Sequence, residues 1–144
     1  MSDDIEAARA ALIGWLVNAA LPLWADRGVD MREGGFHEQL DAQALPIHEP
    51  RRTRVVARQI YVFATAQRLG WLPGAGALVD HGLAFLFERL LRPDGTYASA
   101  VHADGRLASD AFDLYEQAFA LFALASVARG DPRRVDAMQA AAIA

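Results

Sequence analysis

Residues 52–69 read RTRVVARQIYVFATAQRL, and the distribution of apolar side chains along this stretch decides the fold. Val55, Val56, Ile60, Val62, Phe63, Ala64, Ala66 and Leu69 suit a helix but point in nearly every direction around it. The polar remainder is thin. Arg51, Arg54, Arg58, Tyr61, Thr65 and Arg68 fall on one stripe at three-and-four spacing. A helix at the surface of a free-standing bundle needs one apolar stripe, whereas a helix apolar almost all round is buried on several sides.

The same pattern extends outward in both directions. A third helix over about Gly76–Leu91 carries Leu78, Val79, Leu83, Phe85, Leu86, Phe87 and Leu90, and Pro93-Asp94-Gly95 stops it. A fourth, from Ser109 as N-cap to about Arg129, contains the unbroken apolar run Ala118–Ala125. Upstream, a first helix carries Ile5, Ala8, Leu12, Trp15, Leu16, Ala19 and Leu23. Downstream, Asp131-Pro132 opens a fifth with proline in its first turn. Between helices lie two hairpin patterns: Phe36–Leu40 with Leu45–Ile47 around Asp41-Ala42-Gln43, and Thr96–His102 with Arg106–Ala108 turning at Asp104-Gly105. Helix, hairpin, helix, helix, hairpin, helix is a crude repeat, and the chain reads as a slice of a larger helical toroid.

Composition excludes much. The 144 residues suit one domain and show no linker. There is no cysteine, so disulfides, thiolate nucleophiles and Cys-based zinc sites are absent. The 14 basic residues are all arginine, which removes Schiff-base chemistry and the Walker-type phosphate lysine. A net charge of −4 argues against a nucleic-acid partner. Hydrophobic content of 53% is high for so short a chain, so an assembling chain or part of something larger is expected. A membrane span is not expected, because the apolar stretch Ala10–Trp24 is interrupted by Asn18 and Pro22 and falls short of the roughly 20 residues required. Asp3, Asp4 and Glu6 precede it where a signal peptide would be basic. The expected location is cytoplasmic.

Three segments, in this order and spacing, carry a resemblance: Gly34-Gly35-Phe36-His37-Glu38, then Arg54-Val55-Val56-Ala57-Arg58-Gln59-Ile60-Tyr61-Val62-Phe63-Ala64, then Asp113-Leu114-Tyr115-Glu116-Gln117-Ala118-Phe119. Together they resemble the N-terminal motifs of the N-acylglucosamine 2-epimerase superfamily, which includes sugar 2-epimerases, aldose–ketose isomerases and a branch of mannose-6-phosphate isomerases. The Ala57–Ala64 run is most similar to that last branch. The resemblance covers Trp15 to about Arg129 and implies an all-α (α/α)6 toroid with its active site at one mouth. Helices of about 15 residues plus connections bring such a toroid to roughly 300 residues or more. Residues 1–144 are therefore expected to form a single incomplete domain of four to five helices, its N-terminal third, and the uncapped end at Ala144 to be an interruption.

The resemblance also implies site residues. Arg58 matches the arginine that lines the sugar site and donates to the carbonyl oxygen that becomes an enediolate, a catalytic and substrate-binding role. Tyr115 matches a tyrosine of the sugar pocket. Arg54, one turn before Arg58, is a candidate for a sugar hydroxyl or phosphate. Taken without the resemblance, the arginine stripe equally suits a solvated face and Tyr115 a core tyrosine. Asp113 suits a structural pairing. His37, His48, His81 and His102 lack metal-site spacing. His37-Glu38 would begin an HExxH motif, but position 41 is Asp, so neither a metal nor any other cofactor is expected. His81 suits a core or rim position, while His37 and His102 belong to hairpins that could border the mouth.

Removing a proton next to a sugar carbonyl and returning it calls for acid–base histidines and an oxyanion donor. In the family those histidines come from later helical hairpins. The expected partner is thus a small sugar or sugar phosphate, and the expected turnover of residues 1–144 alone is negligible. Two other readings stay open. One is a non-catalytic helical module that self-associates through exposed apolar faces. The other is a fragment of a glycoside-processing toroid, for which Asp110 and Asp113, a turn apart on one helix, make a poor pair of flanking carboxylates.

Overall fold

A computed structural model describes residues 2–143. Helix α1 (Ser2–Trp15) continues through a π turn (Leu16–Ala20) into α2 (Leu21–Arg27). The π turn explains how the helix survives Pro22. Proline has no N–H to give back and its ring crowds the preceding turn. One wide turn, closed by the Leu21 N–H on the Leu16 carbonyl, lets the axis pass and leaves proline in the first turn of α2. The expectation that this stretch is too short to span a bilayer is corrected accordingly. Asp3–Arg27 is one 25-residue helix, long and apolar enough to cross a membrane by length and composition, and little of it is buried.

A loop then leads to β1 (Gln39–Leu40) and β2 (Pro46–Ile47), which pair antiparallel. Asp41 shapes their turn by accepting from the N–H groups of Gln43 and Leu45. Next comes β3 (Arg51–Arg52), directly followed by α3 (Thr53–Leu69). Then come α4 (Ala75–Phe85), ending in a second π turn (Leu86–Leu90), β4 (Ala100–Val101), β5 (Leu107–Ser109), α5 (Leu114–Ala128) and α6 (Pro132–Ile143). The strands β3, β4 and β5 form one antiparallel sheet in that order. Sequence patterning foresees the β4–β5 hairpin but not β3, whose two arginines read as the approach to a helix.

That sheet aligns the two helices that matter most. β3 feeds α3 and β5 leads to α5, so both helices start at the same end, side by side, and make the most extensive helix pair. α3 turns Val56, Ala57, Ile60, Phe63 and Ala66 into a core shared with Val79, Leu83 and Leu86 of the α4 segment and Ala120, Ala123 and Val127 of α5. Gly82 of α4 lets Phe36 and Ile60 approach so closely that a Cβ there would lie 2.6 Å from each. Gly35 has a φ of +68° and faces Phe85, whose ring would meet a Cβ at 2.7 Å. Gly35→Ala combines a left-handed backbone with that clash and should destabilise by about 1–3 kcal/mol, read as a lower Tm.

The opposite faces of α3 and α5 are not covered. Tyr61, Val62, Leu114, Leu121 and Phe122 are exposed, as are Ile5, Leu12 and Trp15 of α1. The helices thus form an arc that keeps a buried core and also leaves large apolar side chains exposed.

Candidate functional site

Arg58 lies one turn after Arg54 on α3, and Tyr115 lies in the first turn of α5. Asp113 is the N-cap of α5, its carboxylate accepting from the Tyr115 N–H at 2.9 Å. The structure moves this helix start from Ser109, which belongs to β5, to Leu114. Residues 110–113 are a link outside the helix, and Asp110 there accepts from Arg92 at 2.6 Å. Asp110 and Asp113 therefore do not share a helix.

Capping at Asp113 sets the height of Tyr115 against α3. Its hydroxyl accepts a hydrogen bond from the Arg58 guanidinium at 2.9 Å. The guanidinium also lies over the Phe119 ring, 4.4 Å from its centroid, and Phe119 packs edge-on to Tyr115 at 4.8 Å. Arg58 and Tyr115 are both exposed, on the open face of the arc. Arg58 is a surface arginine whose direction is fixed by a phenol and a phenyl ring. Beside it, between α3 and the α1–α2 helix, runs a cleft of about 440 Å³ lined by Trp15, Trp24, Glu38, Gln59 and Val62.

Arg54 is placed next to this pair but is already engaged. Its guanidinium donates to Glu116, whose other oxygen accepts from the Arg54 backbone N–H. Glu116 is 1% exposed. Sequence reasoning misses it, although the single charged side chain of α5 is itself a signal, since a buried charge requires a partner. Two further pairs are equally illegible: Arg51 of β3 with Asp30 at 2.7 Å, and Arg52 with Glu38. Arg51 consequently leaves the stripe to which helical spacing assigns it, because β3 is extended and turns its side chain inward, to 1% exposure. Gln117 clamps the second hairpin, its side chain bonding both the N–H and the carbonyl of Tyr97 at 2.8 Å.

The histidines lie away from Arg58. His81 bonds the Gly35 carbonyl at 2.9 Å, while His37, His48 and His102 line a separate cavity. Among the described residues no three metal-ligating side chains converge. The arrangement around Arg58 and Tyr115 offers hydrogen-bond donors and a phenol to an oxygen-rich ligand, with no imidazole in contact.

Residues 34–144 match the family described as N-acylglucosamine 2-epimerase (GlcNAc 2-epimerase), and the chain belongs to that family. It is similar to a mannose-6-phosphate isomerase of Rhizobium meliloti (strain 1021), 44% identical over 135 residues, covering 93% of this chain and 35% of the relative. It is also similar to a D-mannose isomerase of Thermobifida fusca, 34% identical over 141 residues, covering 89% and 34%. In fold it superposes on cellobiose 2-epimerase from Spirochaeta thermophila DSM 6192 with a TM-score of 0.84 and 24% identity, covering 97% of this chain and 35% of that one. A D-mannose isomerase crystal structure gives a TM-score of 0.78 at 16% identity, covering 92% and 34%. The arc is part of an (α/α)6 toroid, and the chain spans about a third of the length of the curated relatives it matches.

Proposed function

We propose that this chain contributes the oxyanion-binding side of a cofactor-independent sugar isomerase or 2-epimerase acting on a free or phosphorylated aldose such as mannose 6-phosphate or an N-acylhexosamine. Family membership supports the sugar chemistry. The observation that carries the residue assignment is the Arg58–Tyr115 bond, at 2.9 Å on an exposed face of the α3–α5 pair. The guanidinium, pre-aimed by Tyr115 and Phe119, donates to the sugar carbonyl oxygen. Its interaction strengthens as that oxygen gains negative charge in the enediolate, the differential binding that lowers a barrier. Tyr115 orients the sugar through its hydroxyl. Arg54, held by Glu116, positions the first turn of α5 in place of the contact with a sugar hydroxyl or phosphate that the resemblance implies.

The proton itself must be moved by an imidazole or carboxylate, and none touches Arg58 in the described residues. Residues 1–144 therefore bind sugar weakly without turning it over. Titration with mannose and mannose 6-phosphate, followed by NMR, should shift the Arg58 Nε and Tyr115 ring signals, and Arg58→Ala should abolish the Tyr115 response. Solvent deuterium should not enter C2 of mannose, glucose or N-acetylglucosamine. If it does enter, and Arg58→Ala slows entry by about 10²–10³-fold, the chain carries its own base. Arg58 and Tyr115 signals that ignore every sugar would sink the assignment.

The exposed apolar face supports a second part to the reading. Leu114, Leu121, Phe122 and Val62 favour self-association through this surface. Sedimentation velocity should show concentration-dependent dimers or larger species, and a monodisperse monomer across the range counts against it.

A further inference from the structure

The helix formed by α1, the π turn and α2 is held at one end only. Leu21 is buried against Ala66 and Ala75, and Trp24 packs on the main core. Residues 3–12, by contrast, are exposed throughout. Ile5, Leu12 and Trp15 keep 58–65% of their surface in solvent. A helix draws most of its stability in a protein from packing an apolar face, and nothing among the described residues packs on this one.

Between that helix and α3 runs the cleft of about 440 Å³ beside Arg58. Trp15 and Trp24 belong to one wall, Val55 and Val62 to the other. Two helices that stand apart with apolar sides facing each other leave a trough for a third, whose axis packs about 8–10 Å from each neighbour. The Trp24 ring rests on Gly28, where a Cβ would collide with it, so this wall is in place before anything enters.

The superposition on known toroids says which helix comes. Along 97% of its length the chain follows about a third of an (α/α)6 ring. A third of a ring laid down in chain order has two open edges. The later edge, α5 with α6, meets the helices next in sequence, so the earlier edge, α1–α2 with α3, is closed by the last ones. A bilayer suits this edge less well, because the trough is concave, Asp3 and Asp4 open α1, and Glu38, Arg58 and Gln59 also line the cleft.

We propose that the Trp15–Trp24 cleft is the ring-closing seat of the toroid and receives the apolar face of the toroid's C-terminal helix. Because Arg58 and Gln59 line the same cleft, the incoming helix also walls the open side of the candidate site. The seat follows from the fold and holds whether or not Arg58 binds sugar.

The test co-expresses the chain with the part of the Rhizobium meliloti relative that lies C-terminal to its matched 135 residues. Since two separate pieces can fail to meet, a fusion of that part behind Ala144 is read in parallel. Photoreactive benzoylphenylalanine replaces Trp15 or Val62, and mass spectrometry locates the crosslinks. Either position should link to the last helix of the added part, whereas the same group in place of Leu107 on β5 should not. Trp15→Glu sets a charge in the covered wall and should weaken capture of the added part at least about tenfold and lower the Tm of the fusion. Crosslinks to a different helix overturn the proposal. So do crosslinks to a second copy of the chain, or to phosphatidylcholine–phosphatidylglycerol vesicles in the same mixture, in preference to the added part. No crosslink from either position in the fusion, or a Trp15→Glu variant with capture and Tm unchanged, overturns it as well.

Discussion

Glu116→Ala should cost about 3–5 kcal/mol of folding stability, the largest loss expected from any single change at the candidate site. Glu116 is almost wholly buried between α5 and α3 and takes both the side chain and the backbone N–H of Arg54. Truncation leaves Arg54, itself only a quarter exposed, without its counter-charge, and leaves a first-turn N–H of α3 without an acceptor. Domains of this size have about 5–15 kcal/mol in total, so the variant should sit near the edge of folding, read as a fall in urea midpoint. Two companions separate charge from packing. Glu116→Gln keeps an acceptor for the backbone and should lose less. Arg54→Met combined with Glu116→Leu removes both charges and should recover most of the loss, because a buried ion pair gains little over well-packed apolar side chains. A double variant as unstable as Glu116→Ala would show that Glu116 acts through shape alone.

Asp30→Ala should be nearly as damaging, again about 3–5 kcal/mol, since it strips Arg51 of its single partner. The same carboxyl also predicts an acid limb. Burial raises the Asp30 pKa, but the N–H groups of Glu33 and Arg32, with the charges of His37 and Arg51, outweigh it, and the net shift is downward from 3.8. A carboxyl with a folded pKa below its unfolded one stabilises the fold above the unfolded value, and that contribution is lost as pH falls from 3.8 through the folded pKa. His37, depressed from 6.5, adds a loss of the same sign that begins higher, as pH drops below 6.5. Urea midpoints measured from pH 7 downward should therefore decline in two stages, the first absent from His37→Asn. Asp30→Ala should lack the lower stage.

Much of the architecture is written in local pattern. Helical spacing at Val56, Ile60 and Phe63, the Asp104-Gly105 turn, and proline in the first turn of α6 place the helices and the second hairpin to within a few residues. The family motifs around Arg58 and Tyr115 single out two residues that the structure joins across 57 positions of sequence. Boundaries fail where a side chain has a choice of backbone partners. Ser109 and Asp113 both suit an N-cap, and β4 pairing with β5 captures the first and leaves the second to cap α5. Pro22 reads as an interruption because proline usually is one, and only the π turn absorbs it.

By itself the sequence determined an all-helical arc with apolar faces, its membership of a sugar-epimerase family, and the arginine and tyrosine of the candidate site, since periodicity and motif are properties of near neighbours. Only the tertiary structure decided that Arg51 turns inward to Asp30, that Arg54 belongs to Glu116, and that three histidines from separate loops share one cavity. Those are pairings of charge and donor across 21 to 62 positions. Any arginine in a lysine-free chain of 18 acidic residues could have met any of several carboxylates, and the choice among them is made by burial, which exists only once the helices have packed.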